Sequence, residues 1–170
     1  IYYSKNKTFH LLKNLASVSD FKEGVKLSEE VFITRLGLKK GGKFAKIKPL
    51  DCILGAFHGK NTEGGELAGF FETLGIPYSF NSVLGASIGQ DKITMKKVLK
   101  NDEISILPFI EISYNDYIKN EEYFIQKIND LTYPVIVKPS MLGSSIGIKK
   151  VNDENELKKA IKNAFKYDEF

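Results

Sequence analysis

The stretch 133–151 constrains the fold of this chain more than any other. Its residues 135–137, Val-Ile-Val, form a short apolar run of β-branched residues, which predicts a buried strand that ends at Lys138. Pro139 has no N–H to donate to a strand ladder, so we expect the strand to open into a loop there. A second alternating run at 146–151 follows the loop at once. The pattern predicts a strand, a loop of small residues and another strand.

The loop of this hairpin, residues 140–145, has a composition that suits a polyphosphate. Gly143 lets main-chain N–H groups approach phosphate oxygens closely, Ser144 and Ser145 add hydroxyl donors, and Lys138 adds a positive charge. An ordinary surface hairpin with a solvated lysine would have the same composition. The loop alone leaves both interpretations open.

The balance of charge argues against a nucleic-acid-binding protein. The chain has 25 lysines and arginines against 21 acidic residues, and Arg35 is its one arginine. Nucleic-acid binders concentrate basic residues and use arginine forks for bases and phosphates. With 42% hydrophobic and 27% charged residues among 170, the composition is that of a soluble globular protein with one or two domains.

A single cysteine, Cys52, favours a reducing compartment, because the chain cannot form an internal disulfide. It lies in an apolar run, where we expect a small buried side chain. The sequence shows neither a membrane-spanning stretch nor a signal peptide, so we expect a cytoplasmic protein. The chain starts with Ile1 and ends at Phe170 directly after an amphipathic pattern, so we expect it to be part of a longer protein.

Weak patterns near the start of the chain predict four short strands. They lie at residues 1–3, 8–12, 31–34 and 44–48, and the first two should form a hairpin. Residues 37–43 nearly make a phosphate-binding P-loop, but Phe44 stands where a hydroxyl should hold magnesium, and no apolar strand precedes Gly37. We therefore reject a P-loop and expect a glycine turn at Gly41 and Gly42.

The clearest sign of a parallel sheet lies near the middle of the chain. An apolar run at 51–57 predicts a strand, residues 66–74 an amphipathic helix and residues 76–80 a second strand, which together form a βαβ unit. Ligands of α/β sheets bind at the carboxyl ends of strands, where His58 and Glu63 fall. Alternatively, His58 is a structural hydrogen-bonding residue, and Glu63 is a favourable charge at the start of the helix.

The second half of the chain predicts a mixture of helices and strands. We expect helices at 82–90, 91–101 and 114–129, a strand at 107–112 and a last helix after residue 153. Asp91 and Asp153 are the expected caps. Lys92 stands near a helix start, where a cation opposes the dipole, so it is either a solvated lysine or a ligand-binding one. The βαβ pattern ends near residue 90, and we expect a domain boundary there.

Three separate motifs resemble one protein family. They are HGKNTEGGELAGFFETLGIPY at 58–78, GASIGQDKITMKKVL at 85–99 and YPVIVKPSMLGSSIGIKKV at 133–151. In this order and at these distances they resemble the D-alanine–D-alanine ligases of the ATP-grasp superfamily. The resemblance extends from about residue 51 to about residue 165 and is weak before that. Three ordered motifs are far more specific than any one of them.

The resemblance implies an α/β fold in two parts. Residues 1–90 would form a Rossmann-like (pre-ATP-grasp) N-terminal substrate domain without its first strand and helix, and residues 91–170 would form the first part of a central ATP-grasp α+β domain. The implied reaction is the ATP-dependent ligation of two D-alanines to D-alanyl-D-alanine through an acyl phosphate, for peptidoglycan synthesis. Much of the family's active site would follow Phe170, so we expect the chain alone to be inactive.

The resemblance also assigns nucleotide contacts. Lys92 in QDK and Lys138 in VKP match the lysines of the family that contact the nucleotide, and Gly143, Ser144 and Ser145 match its phosphate loop. These residues would stabilise the negative charge that spreads over a transferred phosphoryl group. Such a reaction needs no protein nucleophile.

A second set of residues faces the amino-acid substrate in the family. His58 and Glu63 match the motif H-G-x-x-G-E-D-G, and Ser144 matches a serine beside the first D-alanine, so the resemblance implies catalytic roles for these three. Thr62 stands where the family has glycine, and Gly64 stands where it has an acidic residue. These departures leave the second substrate open, with D-lactate and D-serine as alternatives to D-alanine.

Cofactors and partners follow from the same resemblance. We expect ATP and Mg²⁺, with the magnesium ligands outside this chain and no metal-binding residue within it. The partner would be a small molecule, D-alanine, with no nucleic acid and no membrane, and a homodimer is compatible with the resemblance. The alternative is a non-catalytic ATP-grasp-like domain that binds a nucleotide or a partner protein. The sequence that follows Phe170 in the whole protein would separate the two.

Overall fold

The computed structural model describes residues 2–3, 7–11, 29–41, 47–59 and 61–170. It contains both helices and sheets, as the α/β class requires. The chain divides into two compact units, the first made of Ile1–Ala56 with Leu67–Phe80 and the second of Phe57–Glu66 with Asn81–Phe170. The boundary near residue 90 concerns the domains of the whole protein and stays a prediction.

The first unit contains an antiparallel sheet of short strands. Within the described residues these strands are β1 (Tyr2–Tyr3), β2 (Thr8–Leu11), β3 (Glu29–Thr34), β4 (Gly37–Lys40) and β5 (Ile47–Lys48). Their order in the sheet is the same as their order in the chain. The four predicted strands are confirmed there, while residues 1, 12 and 44–46 of those predictions lie outside the described residues. Strand β4 begins where the rejected P-loop would begin. The predicted glycine turn is only partly described, since Gly42 lies outside the described residues.

Helix α1, Glu66–Leu74, confirms the predicted amphipathic helix, and its residues after Glu66 pack within the first unit. Phe71 is 2% exposed, and its ring centroid lies 5.4 Å from that of Phe70 and 6.0 Å from that of Phe80. Phe70 stacks on Phe9 at 5.8 Å. Such aromatic pairs stabilise a core beyond the apolar area they bury. This cluster attaches the helix to strand β2.

The strands predicted at 51–57 and 76–80 are wrong except at one point. Ile53 forms a parallel bridge with Tyr78, and its main chain makes hydrogen bonds of 2.8 and 3.0 Å to the residues on either side of Tyr78. The parallel pairing of a βαβ unit is therefore present, but it does not extend into a ladder.

The expected burial of Cys52 is also wrong. Cys52 is exposed, and Leu54 is 84% exposed. An apolar run is buried as a strand only when neighbouring elements cover its faces. Among the described residues, the run at 51–57 has one paired position, so its side chains stay accessible.

The second unit contains the remaining helices of the described residues. They are α2 (Val83–Gln90), α3 (Lys92–Asn101), α4 (Tyr114–Lys119), α5 (Glu121–Asn129) and α6 (Glu154–Ala164). The carboxylates of Asp91 and Asp153 each accept two main-chain N–H groups at the starts of α3 and α6. Both predicted caps are confirmed, as is the helix at 82–90. No helix within the described ranges combines the length and apolar character needed to cross a membrane.

The predicted hairpin is confirmed by β6 (Val135–Val137) and β7 (Lys149–Val151). The two strands are antiparallel, with Val135 opposite Val151. The hairpin and the helices around it share a buried core, whose members are Tyr117, Ile125, Ile128, Val151, Leu157, Ala160 and Ile161. This core supports the loop that connects the two strands.

Three predictions for this unit are wrong, the first completely and the other two in part. Residues 107–112 form no strand, and Leu107 is 80% exposed. The helix predicted at 114–129 is interrupted at Asn120, whose φ of −141° ends α4 before α5 begins. Asparagine competes with helix hydrogen bonds and favours such junctions. Residues 144–147 form a turn and residue 148 belongs to no strand, so the second strand of the hairpin begins later than predicted.

Gly147 makes that turn possible. Its φ is 75°, and a Cβ on it would lie 2.7 Å from Pro139 Cγ and 2.9 Å from Tyr167 Cδ2. Only glycine fits such a position. Gly143, the glycine expected to approach a phosphate, has no such restriction, because a Cβ there would meet nothing within 4 Å.

Candidate functional site

The turn that begins at His58 closes around the carboxylate of Glu63. Glu63 Oε1 lies 2.8 Å from His58 Nδ1, and Oε2 accepts the main-chain N–H of Gly59 at 2.7 Å. Thr62 is 5% exposed and donates its hydroxyl to the carbonyl oxygen of Gly59 at 2.7 Å. Thr62, one of the two departures from the family motif, therefore closes the turn from inside.

Ser144 of the hairpin loop meets this turn, and both belong to the second unit. His58 Nε2 lies 2.9 Å from Ser144 Oγ, so three predicted site residues form the line Glu63, His58, Ser144. A carboxylate only accepts hydrogen bonds, so Nδ1 carries a proton, and in the neutral ring Nε2 accepts the Ser144 hydroxyl. The His58 side chain is 71% exposed, so this line of hydrogen bonds is accessible to water.

The tip of the loop has an uncommon backbone conformation. Ser144 and Ser145 have φ angles of 52° and 58°, in the left-handed region that few residues other than glycine adopt. The N–H of Ile146 donates to the carbonyl oxygen of Gly143 at 3.2 Å, which closes the turn. Gly143, Ser144 and Ser145 are all exposed, so their donors are accessible to a ligand.

Lys92 supports the same loop from the start of helix α3. Its Nζ donates to the carbonyl oxygens of Ser140 at 2.9 Å and Leu142 at 2.5 Å. Burial lowers the pKa of Lys92 from its ordinary value, Lys138 lowers it further, and Asp168 and Asp91 oppose them. These carbonyl partners explain why a cation is stable at a helix start, where the helix dipole disfavours it.

Asp91 connects the cap of helix α3 to the loop. Its Oδ1 accepts the hydroxyl of Ser140 at 2.6 Å, and its Oδ2 accepts that of Thr94 at 2.8 Å. Burial acts to raise the pKa of Asp91, but the hydrogen bonds from Ser140, Thr94 and the helix N–H groups outweigh it and hold the pKa below its ordinary value. Ser140 is 4% exposed, so this contact fixes the start of the loop.

A cavity of about 620 Å³ opens beside the loop, within the second unit. Its walls are mostly apolar and come from strand β6, helix α6 and the segment 107–112, while Lys92, Lys96 and Lys138 bring positive charge to it. The volume and the few convergent polar groups are typical of small-molecule sites. Lys138 is exposed and makes no hydrogen bond or ion pair with the described residues, so its charge is available to a ligand.

Sequence reasoning missed Lys96, which also lines the cavity. Its Nζ donates to the carbonyl oxygen of Leu107 at 3.1 Å and lies 4.9 Å from the centre of the Phe109 ring. Burial lowers its pKa, and Lys138 adds to that effect. The available signal was the spacing of four residues from Lys92, which places both lysines on one face of α3.

Among the residues that the structure describes, no group of three or more histidine, cysteine or acidic side chains could hold a metal ion. The site therefore consists of two parts. One is the Glu63, His58, Ser144 line, and the other is the lysine-bearing cavity at the root of the same loop.

Comparison with known proteins shows which proteins this chain is similar to. Residues 98–170 match a family model described as the D-ala D-ala ligase C-terminus. A D-alanine–D-alanine ligase from Staphylococcus haemolyticus is 46% identical over 122 residues, which are 71% of this chain and 34% of that protein. The chain is a homologue of the D-alanine–D-alanine ligases. The resemblance predicted from the three motifs is thus confirmed.

Solved structures of this ligase family share the fold. A D-alanine–D-alanine ligase from Helicobacter pylori has a TM-score of 0.82 at 29% identity and covers 97% of this chain and 52% of its own. The VanG D-Ala:D-Ser ligase from Enterococcus faecalis has a TM-score of 0.79 at 28% identity, covering 97% and 48%. The chain spans about one third of the curated relative and about half of these solved structures.

Proposed function

We propose that this chain is part of an ATP-dependent ligase that joins two D-alanines to D-alanyl-D-alanine for peptidoglycan synthesis. The hydrogen bond of 2.9 Å between His58 and Ser144 carries the proposal, because it joins the turn assigned to the amino acid to the loop assigned to the phosphate. A reaction between an amino-acid carboxylate and a phosphoryl group needs both to meet at one place. The two relatives named D-alanine–D-alanine ligases support this reaction.

ATP would occupy the cavity, with its phosphates towards the loop. Lys92 and Lys138 would contact the nucleotide, and the donors of Gly143, Ser144 and Ser145 would surround the transferred phosphoryl group. A carboxylate oxygen of the first D-alanine would attack the γ-phosphorus, forming an acyl phosphate and releasing ADP. The amino group of the second D-alanine would then displace phosphate. Positioning and positive charge are the main requirements of such a transfer.

The amino acid would lie beside the His58 line. Glu63 orients the His58 ring through Nδ1, and Nε2 holds the Ser144 hydroxyl in place. A hydroxyl held in this way has a fixed direction for the lone pair or proton that it presents to a substrate. We assign His58, Glu63 and Ser144 to the binding and orientation of the first D-alanine.

The same order of hydrogen bonds, from acid to histidine to serine, occurs in enzymes that use serine as a nucleophile. There the acid is buried, whereas here the side chains of His58 and Glu63 are 71% and 30% exposed. Phosphoryl transfer needs no protein nucleophile, so the line is sufficient as a positioning device. A serine-reactive fluorophosphonate should therefore leave Ser144 unmodified, and stoichiometric labelling of Ser144 would favour a serine hydrolase instead.

The family implies Mg²⁺ as well as ATP, and the described residues fit the nucleotide better than the ion. The cavity brings three lysines together, and among the described residues Glu111 is the one acidic residue that lines it. Magnesium prefers oxygen ligands, mainly carboxylates together with phosphate oxygens. We propose that the carboxylates for Mg²⁺ lie outside this chain, and we assign no metal ligand within it.

The finer division of the fold also belongs to this proposal. In the whole protein, residues 1–90 would be part of a Rossmann-like N-terminal domain, and residues 91–170 would be the first part of the central ATP-grasp domain. The parallel bridge between Ile53 and Tyr78 supports the first part, since it is the pairing that a βαβ unit requires. The protein would act in the cytoplasm on small molecules.

The whole natural protein, incubated with ATP, magnesium and D-alanine, should form D-alanyl-D-alanine. His58→Ala should raise the KM for D-alanine and leave nucleotide affinity by calorimetry nearly unchanged, because His58 is assigned to the amino acid. His10→Ala, at the other histidine, is the matched control and should behave like the natural protein. Absence of the dipeptide would contradict the function, and loss of nucleotide affinity in His58→Ala would reverse the assignment of the two parts.

The second substrate is tested in the same assay. D-serine and D-lactate should each be offered together with D-alanine, because one structural neighbour is named a D-Ala:D-Ser ligase. Thr62 and Gly64 depart from the family motif in the turn that would face the substrate. Preference for D-alanine over both alternatives is the expected result.

A further inference from the structure

The root of the loop, residues 140–142, is held by side chains from two separate segments. Gln90 and Lys92 donate to its carbonyl oxygens, with Gln90 Nε2 lying 2.7 Å from the oxygen of Met141. Asp91 accepts the hydroxyl of Ser140. From the segment after helix α6, Asp168 Oδ2 accepts the main-chain N–H of Met141 at 2.6 Å.

The segment after α6 meets both ends of the loop. Asp168 bonds to Met141 at the beginning of the loop, and the ring of Tyr167 lies where a side chain on Gly147 would lie, 2.9 Å from the position of a Cβ. Two consecutive residues therefore contact the two ends of one loop. Within the described residues, the tip between these ends makes one side-chain hydrogen bond, between Ser144 and His58.

We propose that Asp168 is a positioning residue for the phosphate loop, which it holds through the main-chain N–H of Met141. The proposal rests on the proposed function, since it concerns how the same loop receives ATP. A carboxylate that accepts a main-chain N–H fixes the orientation of that peptide group. The orientation of the next peptide groups in the loop is then restricted as well. Donors at the tip must be placed within fractions of an ångström to stabilise a transferred phosphoryl group.

Charge gives Asp168 a second effect at the same place. Lys92 and Lys138 are close enough for the second to lower the pKa of the first, and Asp168 acts in the opposite direction. Before ATP binds, Asp168 thus offsets part of the repulsion between two lysines that both face the cavity. It does so without lining the cavity, so it does not occupy the place of the phosphates.

Asp153 provides a matched control, because it is also a carboxylate of the second unit that accepts main-chain N–H groups. It caps helix α6 and, within the described residues, makes no hydrogen bond or ion pair with the loop. In the whole protein, Asp168→Ala should raise the KM for ATP by roughly 5- to 50-fold, since it removes one charged hydrogen bond from the loop. Asp153→Ala should lower the melting temperature with the KM for ATP unchanged. Asp168→Asn keeps an accepting oxygen and should recover part of the effect.

Hydrogen exchange gives a readout that does not depend on ligase activity. In Asp168→Ala, amides in 140–147 should exchange faster than in the natural protein, whereas in Asp153→Ala they should not. If the natural protein makes no dipeptide but the exchange differs as expected, the proposed function fails and the positioning role stands. If the natural protein is active and Asp168→Ala matches Asp153→Ala in both KM and exchange, the positioning role is wrong.

Discussion

The second unit buries a continuous apolar core beneath its hairpin, whereas the apolar run at 51–57, most of it in the first unit, stays largely accessible; both units leave several large apolar side chains exposed. In the second unit Tyr117, Val151 and Leu157 are completely buried, between helices with side-chain caps and a hairpin. In the first unit the core is an aromatic cluster around Phe71, while Leu54 is 84% exposed. The core of the second unit packs against the strands that carry the loop, whereas the apolar run at 51–57 has little cover from the described residues.

The largest expected difference in stability is between two leucine-to-alanine variants, one in each unit. In the whole protein, Leu157→Ala should lower the free energy of unfolding by about 3–5 kcal/mol, because it leaves a cavity in a packed core. Leu54→Ala should change it by less than about 0.5 kcal/mol, since an accessible side chain loses little on truncation. Urea unfolding of both variants measures the two values. A large loss for Leu54→Ala would show that this run is buried in the whole protein and would break the comparison.

Alkaline pH should weaken the core of the second unit through Tyr117. Burial raises the pKa of Tyr117 to about 12 from 10.0, and the charge of Glu121 adds to the shift. The unfolded state then loses its proton first, so the stability from the neutral ring is complete below pH 10 and is lost as the pH rises from 10 to 12. The loss should reach about 2–3 kcal/mol.

Tyr117→Phe isolates this effect. Within the described residues the Tyr117 hydroxyl is buried without a hydrogen bond of good geometry, so the variant should be at least as stable as the natural protein near neutral pH. Its free energy of unfolding should also fall less steeply above pH 10. Parallel pH curves for the two proteins would contradict the buried, neutral state of this tyrosine.

The smallest effect concerns helix caps in the second unit. Asp153→Ala should cost about 1 kcal/mol, because it removes the acceptor of two N–H groups. Asn120→Ala at the start of α5 should cost only a few tenths of that, since Asn120 makes no side-chain cap hydrogen bond. Thermal unfolding of both variants checks the order. Equal losses would mean that the caps do not explain why these helices begin where they do.

Local signals account for what the sequence predicted well. The caps Asp91 and Asp153 and the hairpin at 133–151 depend on residues close in sequence, and each is confirmed. The strand at 107–112 was wrong because a strand needs a neighbour, and the carbonyl oxygen of Leu107 instead accepts a hydrogen bond from Lys96. Apolar periodicity carries no information about which neighbour is present.

The site residues that belong to the motifs could be predicted from the sequence. Those that act through contacts between residues far apart in the sequence could not. His58, Glu63 and Ser144 were chosen from the motifs, and the structure brings them together, although their roles remain proposals. Asp168 and Gln90 gave no signal, because their contacts with Met141 join residues 27 and 51 positions apart. Such contacts follow only from the packing of the whole unit.

Kinetics of Lys138→Ala in the whole protein test the central claim most directly, that the loop and the lysine-bearing cavity bind ATP for ligation. Lys138 lines the cavity and makes no ion pair with the described residues, so its charge should serve the phosphates. Phosphate release at saturating D-alanine should show kcat/KM for ATP reduced by about 10- to 100-fold, the loss of one charged hydrogen bond. Lys149→Ala, at an exposed lysine on the other strand of the hairpin, should leave it unchanged. Equal kcat/KM values in Lys138→Ala, Lys149→Ala and the natural protein would contradict the claim.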